Sequence, residues 1–207
     1  MAQEIRPLRK DAVVYKLTDQ HMKTHGGYPW ELGKVNTVTG TGNLCGPGWL
    51  HVYSHPWLAV LLNPIHAIYQ PCRLFKAIAN GVYRSDGSLK AGVSSLVLVE
   101  ELPVPVFRQI DYVVWAILVT RAIPDRQVIP VWETWADEVL KTGRTGQEGA
   151  AAAARAAAEA RAAAAAMAAA EAWAAAAARA AAEAKTTIPF SLLSTIAQLQ
   201  AWKQAHD

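Results

Sequence analysis

Leu44-Cys45-Gly46-Pro47-Gly48-Trp49-Leu50-His51-Val52-Tyr53-Ser54-His55-Pro56-Trp57 changes from a glycine-rich loop to an apolar strand and then to a helix start. Residues 49–53 alternate as a strand does, so His51 and Tyr53 are expected on one face and His55 on the next element. Ser54 is the expected helix N-cap, with Pro56 in the first turn, where its missing N–H costs nothing. The helix should run through Leu62 and stop before Asn63-Pro64, with a further turn over 65–68.

Toward the N-terminus, residues 12–17 (Ala-Val-Val-Tyr-Lys-Leu) read as a first strand. Thr18 and Asp19 start a turn that runs through Lys23 and ends at Gly26 and Gly27. Residues 30–38 are extended, and Gly40 to Asn43 mark a loop. Toward the C-terminus, residues 73–79 and 92–101 read as strands, linked through Val82, Tyr83 and the turn signal Ser85, Asp86, Gly87. After Pro103 and Pro105 the apolar period changes to that of a helix. Ile110, Val113, Val114, Ile117 and Leu118 share a stripe over 109–123, ended by Pro124 and Asp125. A second helix over 126–141 carries Ile129, Trp132, Trp135, Ala136 and Val139, its regular part delayed by Pro130. Strands followed by helices give an α+β fold: a small mixed sheet with flanking helices. The expected divisions are 1–143 for the α+β domain, 144–149 for a linker or loop, 150–186 for an alanine-rich helix and 187–207 for a closing amphipathic helix.

The alanine-rich run is three copies of a twelve-residue unit, Ala-Ala-Ala-Ala-x-Ala-Ala-Ala-Glu-Ala-x-Ala, with Thr186 ending the third. Alanine's helix propensity and the absence of Gly and Pro predict a rod roughly 50–55 Å long. Twelve residues return about 120° out of phase, so Arg155, Met167 and Arg179 fan around the axis and no coiled-coil seam forms. Arg155, Glu159, Arg161, Glu171, Arg179 and Glu183 argue against a membrane span. Beyond it, Phe190, Leu193, Ile196, Leu199 and Trp202 form one apolar stripe, expected to bury against the N-terminal domain or to mediate self-association.

Net charge is +3, which does not by itself indicate nucleic acid, and the short basic arm of Arg6, Arg9 and Lys10 reads as a solvated terminus. Two cysteines and a polar N-terminus without an apolar leader core predict a reducing, cytoplasmic location (host cytoplasm or virion for a phage-encoded chain). Neither a membrane nor nucleic acid is an expected partner, and no cofactor is expected.

Tyr15-Lys16, Glu31-Leu32-Gly33-Lys34, Cys45-x-x-Gly48-x-Leu50-His51-Val52, Pro56 and the strand from Ser94 to Glu101 carry a resemblance to an uncharacterised domain family of bacteriophages and prophages. It covers the chain from Tyr15 to about Lys141, and members often end in alanine-rich repeats. The resemblance implies an origin and brings no established activity.

Three groups of residues bear chemistry. Cys45, His51, His55, His66 and Cys72 are soft or borderline donors close in sequence, but their spacing matches no zinc finger or ribbon. Buried thiols and capped histidines are the plainer reading, with Cys45, His51, His55 and Cys72 a metal alternative and a Cys45–Cys72 disulfide another. Lys16, Tyr53 and Glu100 or Glu101 stand in the order of an ADP-ribosyltransferase-like half-barrel, whose glutamate stabilises an oxocarbenium-like transition state. The pattern departs at Lys16, where arginine or histidine is usual, and no Ser-Thr-Ser follows. Tyr28, Trp30, Trp49, His51, Tyr53 and Trp57 suit an aromatic pocket that stacks a nucleobase or sugar, or simply a core poor in phenylalanine. Phosphate loops, serine elbows, zincin motifs and kinase motifs are absent. The favoured expectation is a non-enzymatic phage-type accessory or virion protein that assembles through its C-terminal helices. The alternatives are a ligand-sequestering or host-factor-inhibiting protein and an ADP-ribosyltransferase-like enzyme.

Overall fold

The computed structural model describes residues 5–85, 90–122, 128, 130–145 and 192–207. The expected alanine-rich rod, most of the expected linker and Phe190 lie outside them. The fold is α+β, as expected, and the described residues fall into two compact units. One ends at Pro105. The other begins at Val106 and includes the C-terminal helix. The two helices expected to close the N-terminal domain therefore cluster with the C-terminal helix, and the division falls at the prolines rather than at residue 143.

In the first unit the strands are β1 (Arg6–Pro7), β2 (Ala12–Asp19), β3 (Lys23–Thr24), β4 (Tyr28–Pro29), β5 (Val35–Thr37), β6 (Leu50–Val52), β7 (Cys72–Ser85) and β8 (Ala91–Leu102). β7 pairs with β8 along most of its length, β2 and β1 pair with the far edge of β7, and β5 and β6 share the far edge of β8. Every strand pair in this sheet is antiparallel; the parallel component of the expected mixed sheet reduces to one isolated bridge, Leu32–Leu98. β7 continues through Val82 and Tyr83, which the sequence suggested as a link. It does so by two register shifts, after Lys76 and after Asn80. Gly81 takes a positive φ of 83° at the second, where a Cβ would lie 2.3 Å from Ser94 Oγ. The same hydroxyl accepts the Val82 N–H at 2.9 Å, so the irregular residue stays hydrogen-bonded.

Those bulges curl the sheet until it meets itself. Just beyond β6, Tyr53 exchanges two backbone hydrogen bonds with Tyr15 of β2, at 2.8 and 2.9 Å. β2, β7, β8 and β6 thereby form a closed ring of strands. One face of the curled sheet carries the fully buried Val52, Phe75, Ala77, Ala79, Ala91, Val93, Leu96 and Leu98, each large side chain contributing roughly 1.5–3 kcal/mol. α1 (Pro56–Leu61) contacts β2 and β7 through buried Leu58, Ala59, Val60 and Leu61, and α2 (Asn63–His66) follows it. The N-cap is His55, whose Nδ1 accepts the Trp57 N–H at 3.1 Å, and not Ser54. Ser54 Oγ is buried without a partner, while the imidazole reaches the same amide from one residue later.

The second unit holds α3 (Gln109–Arg121), α4 (Pro130–Thr142) and α5 (Leu193–His206). Its buried apolar side chains include Val113, Val114, Ile117, Val119, Ala136, Val139, Leu192, Ile196 and Leu199. The stripe proposed for self-association is thus partly consumed inside the chain: Ile196 and Leu199 are buried, and Trp202 Nε1 donates to Leu140 O at 2.7 Å. Only Leu193 of that stripe is exposed among the described residues, because the buried face is centred on Leu192, Thr195, Ile196 and Leu199. Asp111, fully buried, accepts the Arg108 N–H at 2.7 Å as a helix-capping carboxylate and pairs with Arg108 and Lys203 at 3.1 and 3.3 Å. Burial alone would push its carboxyl up; the hydrogen bonds from Arg108 and Lys203 outweigh it and hold the carboxyl below its ordinary value. Arg121 likewise ties α3 to α4 through Glu133 and Asp137 at 2.8 and 2.7 Å. Asp111→Ala leaves the Arg108 N–H without its acceptor and Arg108 and Lys203 with Asp207 as their carboxylate partner, and urea unfolding should record a loss of about 2–3 kcal/mol; an unchanged midpoint would show that the cluster does not hold α3 to α5.

Candidate functional site

β2 reads Val14, Lys16, Thr18 along one face, and all three are buried. A lysine in that register is kept largely from bulk solvent, and Lys16 is only 6% exposed. It stands opposite Phe75 of β7. Its ammonium donates to the main-chain carbonyl of His51 at 2.7 Å and lies 5.0 Å from the centroid of the Trp30 ring. Among the described residues it pairs with no carboxylate. Burial lowers its pKa to about 7, so near neutrality it is divided between the ammonium and the free amine.

Lys16 lines a cavity of about 660 Å3. Its aromatic side chains are Tyr28, Trp30, Trp49, Tyr53 and Tyr69; its basic and imidazole groups are Lys16, Lys90, His25, His51 and His66; no aspartate or glutamate is among the lining residues. Each aromatic ring is fixed by its polar end. Trp30 Nε1 donates to Thr24 Oγ1 at 2.9 Å, Trp49 Nε1 to Gly42 O at 3.1 Å, and the Tyr28 hydroxyl to Asn36 Oδ1 at 3.3 Å. Tyr28 and Trp30 meet at 5.4 Å between ring centroids, tilted by 57°. Gly92 makes room for this wall from below, since a Cβ there would lie 2.7 Å from Trp49 Cβ and 2.8 Å from Leu44 Cδ1.

His51 and His66 are held neutral. His51 Nε2 contacts Leu44 O, an acceptor only, so that nitrogen carries the proton and Nδ1 is left as an acceptor. Burial lowers the His51 pKa to about 4, against the raising effect of the Leu44 bond and with help from the positive charge of Lys16 and Lys90. His66 stacks on Tyr53 at 6.0 Å and 13°, and its Nδ1 shares a hydrogen bond with the Tyr53 hydroxyl at 3.2 Å. Its pKa is also lowered to about 4, chiefly by burial. Lys90 Nζ donates to Cys45 Sγ at 3.3 Å at the cavity wall.

Five of the six residues expected to form an aromatic pocket are therefore brought together: Tyr28, Trp30, Trp49, His51 and Tyr53. Trp57 is not among the lining residues; it sits in the first turn of α1. The half-barrel alternative is split. Lys16 and Tyr53 line the cavity, whereas Glu101 is locked to Arg73 at 2.5 and 2.8 Å and Glu100 stands opposite Lys76 in β7, neither among the lining residues. Without a carboxylate beside Lys16 and Tyr53, the electrostatic role assigned to it has no occupant. No group of three His, Cys, Asp or Glu side chains is placed to hold a metal among the described residues, so Cys45, His51, His55 and Cys72 do not converge. Both cysteines are free thiols. Lys90, His25 and Tyr69 were not expected in the wall; His25 enters through the tight turn His25–Gly27 between β3 and β4, whose bend rests on positive φ at Gly26 and Gly27. No described helix is long and apolar enough to cross a membrane.

No known protein family matches the chain, and no match is found among curated proteins or solved structures.

The imidazoles set a pH dependence. For His51 and His66 the folded pKa lies below the unfolded one, so the unfolded chain binds more protons between about pH 6.5 and 4. Their contribution is complete above 6.5 and is lost as pH falls through about 4. For Lys16 the contribution is complete above the unfolded value of 10.5 and is lost as pH falls to about 7. Urea midpoints should therefore drop steadily from pH 6.5 to 4, with the drop reduced in His66→Phe, and should rise from pH 7 toward 10 less in Lys16→Met than in the native chain. A midpoint flat between pH 6.5 and 4 would mean that both imidazoles are solvated.

Proposed function

We propose that the cavity binds a small ligand combining a planar heteroaromatic ring with a negatively charged group. The observation that carries this reading is the composition of the wall: a buried lysine, further basic side chains and tryptophan and tyrosine rings, with no carboxylate among the lining residues. A protein interior tolerates a buried ammonium only at a cost that shows as its lowered pKa. An anion entering the cavity would supply the missing charge, while the ring area of Trp30, Trp49 and Tyr28 offers faces to a flat group. An anion beside Lys16 also favours its protonated form, so binding takes up a fraction of a proton near pH 7 and weakens as pH rises above it. The role is one of holding or sequestering a ligand, which fits a site whose carboxylates Glu100 and Glu101 stand elsewhere.

Tryptophan fluorescence provides the test. Adenosine 5′-monophosphate or pyridoxine 5′-phosphate should quench it saturably, and the dephosphorylated parent compounds should bind at least about tenfold more weakly, the equivalent of about 1.4 kcal/mol. Lys16→Met should remove most of that difference, and raising the pH from 7 to 9 should weaken the phosphate esters but not their parents. Equal binding of charged and uncharged compounds, or no saturable quenching by either, would sink the reading.

A further inference from the structure

We propose that the ε-amino group of Lys16 captures carbonyl-bearing ligands covalently, as a reversible imine within the cavity. This rests on the cavity being a ligand site and adds a chemistry to it. The geometry is that of a presented nucleophile. Lys16 is anchored in mid-strand by the β2–β7 ladder, held at its tip by a single neutral acceptor, His51 O at 2.7 Å, and borders an accessible cavity. A carboxylate partner would keep it protonated and unreactive; a carbonyl oxygen orients it without doing so. The lowered pKa is consistent with this arrangement. At pH 7 the neutral fraction exceeds that of an ordinary lysine, with a pKa near 10.4, by roughly a thousandfold.

The step balances without an outside oxidant or reductant. The neutral amine adds to the carbonyl carbon, forming the N–C bond as the carbonyl π pair moves to oxygen, and one proton passes from the nitrogen to that oxygen. The carbinolamine then loses its hydroxyl as water, together with the proton from nitrogen, leaving C=N. The Tyr53 hydroxyl, hydrogen-bonded to His66, lines the same cavity as a proton relay for the departing oxygen. Lys90 and His25 remain in the wall to face the ligand's negative group once Lys16 has become an imine. The ligand class is thus an aldehyde or ketone on a flat, negatively charged molecule.

The experiment uses the full chain at pH 7 with pyridoxal 5′-phosphate as probe, borohydride to fix any imine, and peptide mapping by mass. Pyridoxine 5′-phosphate, which lacks the carbonyl, serves as competitor. One reduced adduct on the peptide containing Lys16, formed ahead of adducts on exposed lysines and suppressed by excess competitor, is the expected result. Lys16→Arg should abolish that adduct, and the map of the native chain decides the question even where the variant does not fold. Adducts scattered over exposed lysines with Lys16 unmodified, while pyridoxine 5′-phosphate still quenches the tryptophans, would overturn imine capture and leave the binding reading standing. Neither quenching nor an adduct at Lys16 would overturn both.

Discussion

Two backbone hydrogen bonds between Tyr15 and Tyr53 close the sheet, and the site exists because they do. Each is worth only about 1 kcal/mol net, so their weight is topological more than energetic. β6 is three residues long and pairs with β8 on one side. Tyr53 is the point at which its other side is anchored to β2. That anchoring brings the carbonyl of His51 to the tip of Lys16, and it sets His51 and Tyr53 in the wall of one cavity with Trp30. The bulges in β7 are the precondition, because a flat β7–β8 pair would leave the strands on its outer edges too far apart to meet. Gly81 permits the second of them, and Ser94 Oγ compensates the backbone amide that it displaces from the ladder.

Lys16 is the residue on which this closure has chemical consequences. In an open sheet its long stem would carry the charge to water. Here its neighbours on that face, Val14 and Thr18, are buried with it, and its acceptor is a main-chain oxygen. The ring of Trp30 at 5.0 Å offsets part of the lost hydration through its negative face, though not enough to keep the amine in its ordinary range. Neutral imidazoles at His51 and His66 complete a wall whose charge rests on its lysines and therefore responds to whatever enters.

Much of this was legible in the residues. Alternation in residues 12–17 and 49–53 located β2 and β6, and the tryptophan and tyrosine density around Trp30 and Trp49 pointed to the wall that the fold assembles. Closure was not legible, since no local pattern says that Tyr53 must meet Tyr15, 38 positions earlier in the chain. Trp57 illustrates the limit: adjacent in sequence to the pocket residues, it is carried away by the helix that His55 caps. The assignment of that cap to Ser54 failed for a related reason, because an imidazole one residue further on reached the same amide. Glu100 and Glu101 had the right order along the chain for a half-barrel, but the ladder places them opposite Lys76 and Phe75 of β7, where the diagonal ion pair with Arg73 claims Glu101. The division at Pro105 was hidden because a helix period says that a helix exists and not which unit it joins.

The helical unit and the cavity wall treat charge in opposite ways, although elsewhere in the first unit Arg73 pairs with Glu101, and the contrast argues for a function at the cavity. In the helical unit, cations are matched with carboxylates: Arg108 and Lys203 with Asp111 and Asp207, Arg121 with Glu133 and Asp137. That is the arrangement of a structure being held together. In the cavity wall, donors are anchored on main-chain carbonyls instead: Lys16 on His51, His51 on Leu44, and Trp49 on Gly42. A carbonyl fixes a donor's position while leaving its charge uncancelled. A chain that needed only to stabilise this sheet had a cheaper solution in an apolar side chain at position 16, since replacing buried charge by hydrophobic packing is commonly neutral or favourable. A positioned but unneutralised ammonium at Lys16 is what a site for a negatively charged ligand requires, and its place in an aromatic cavity is difficult to derive from folding alone.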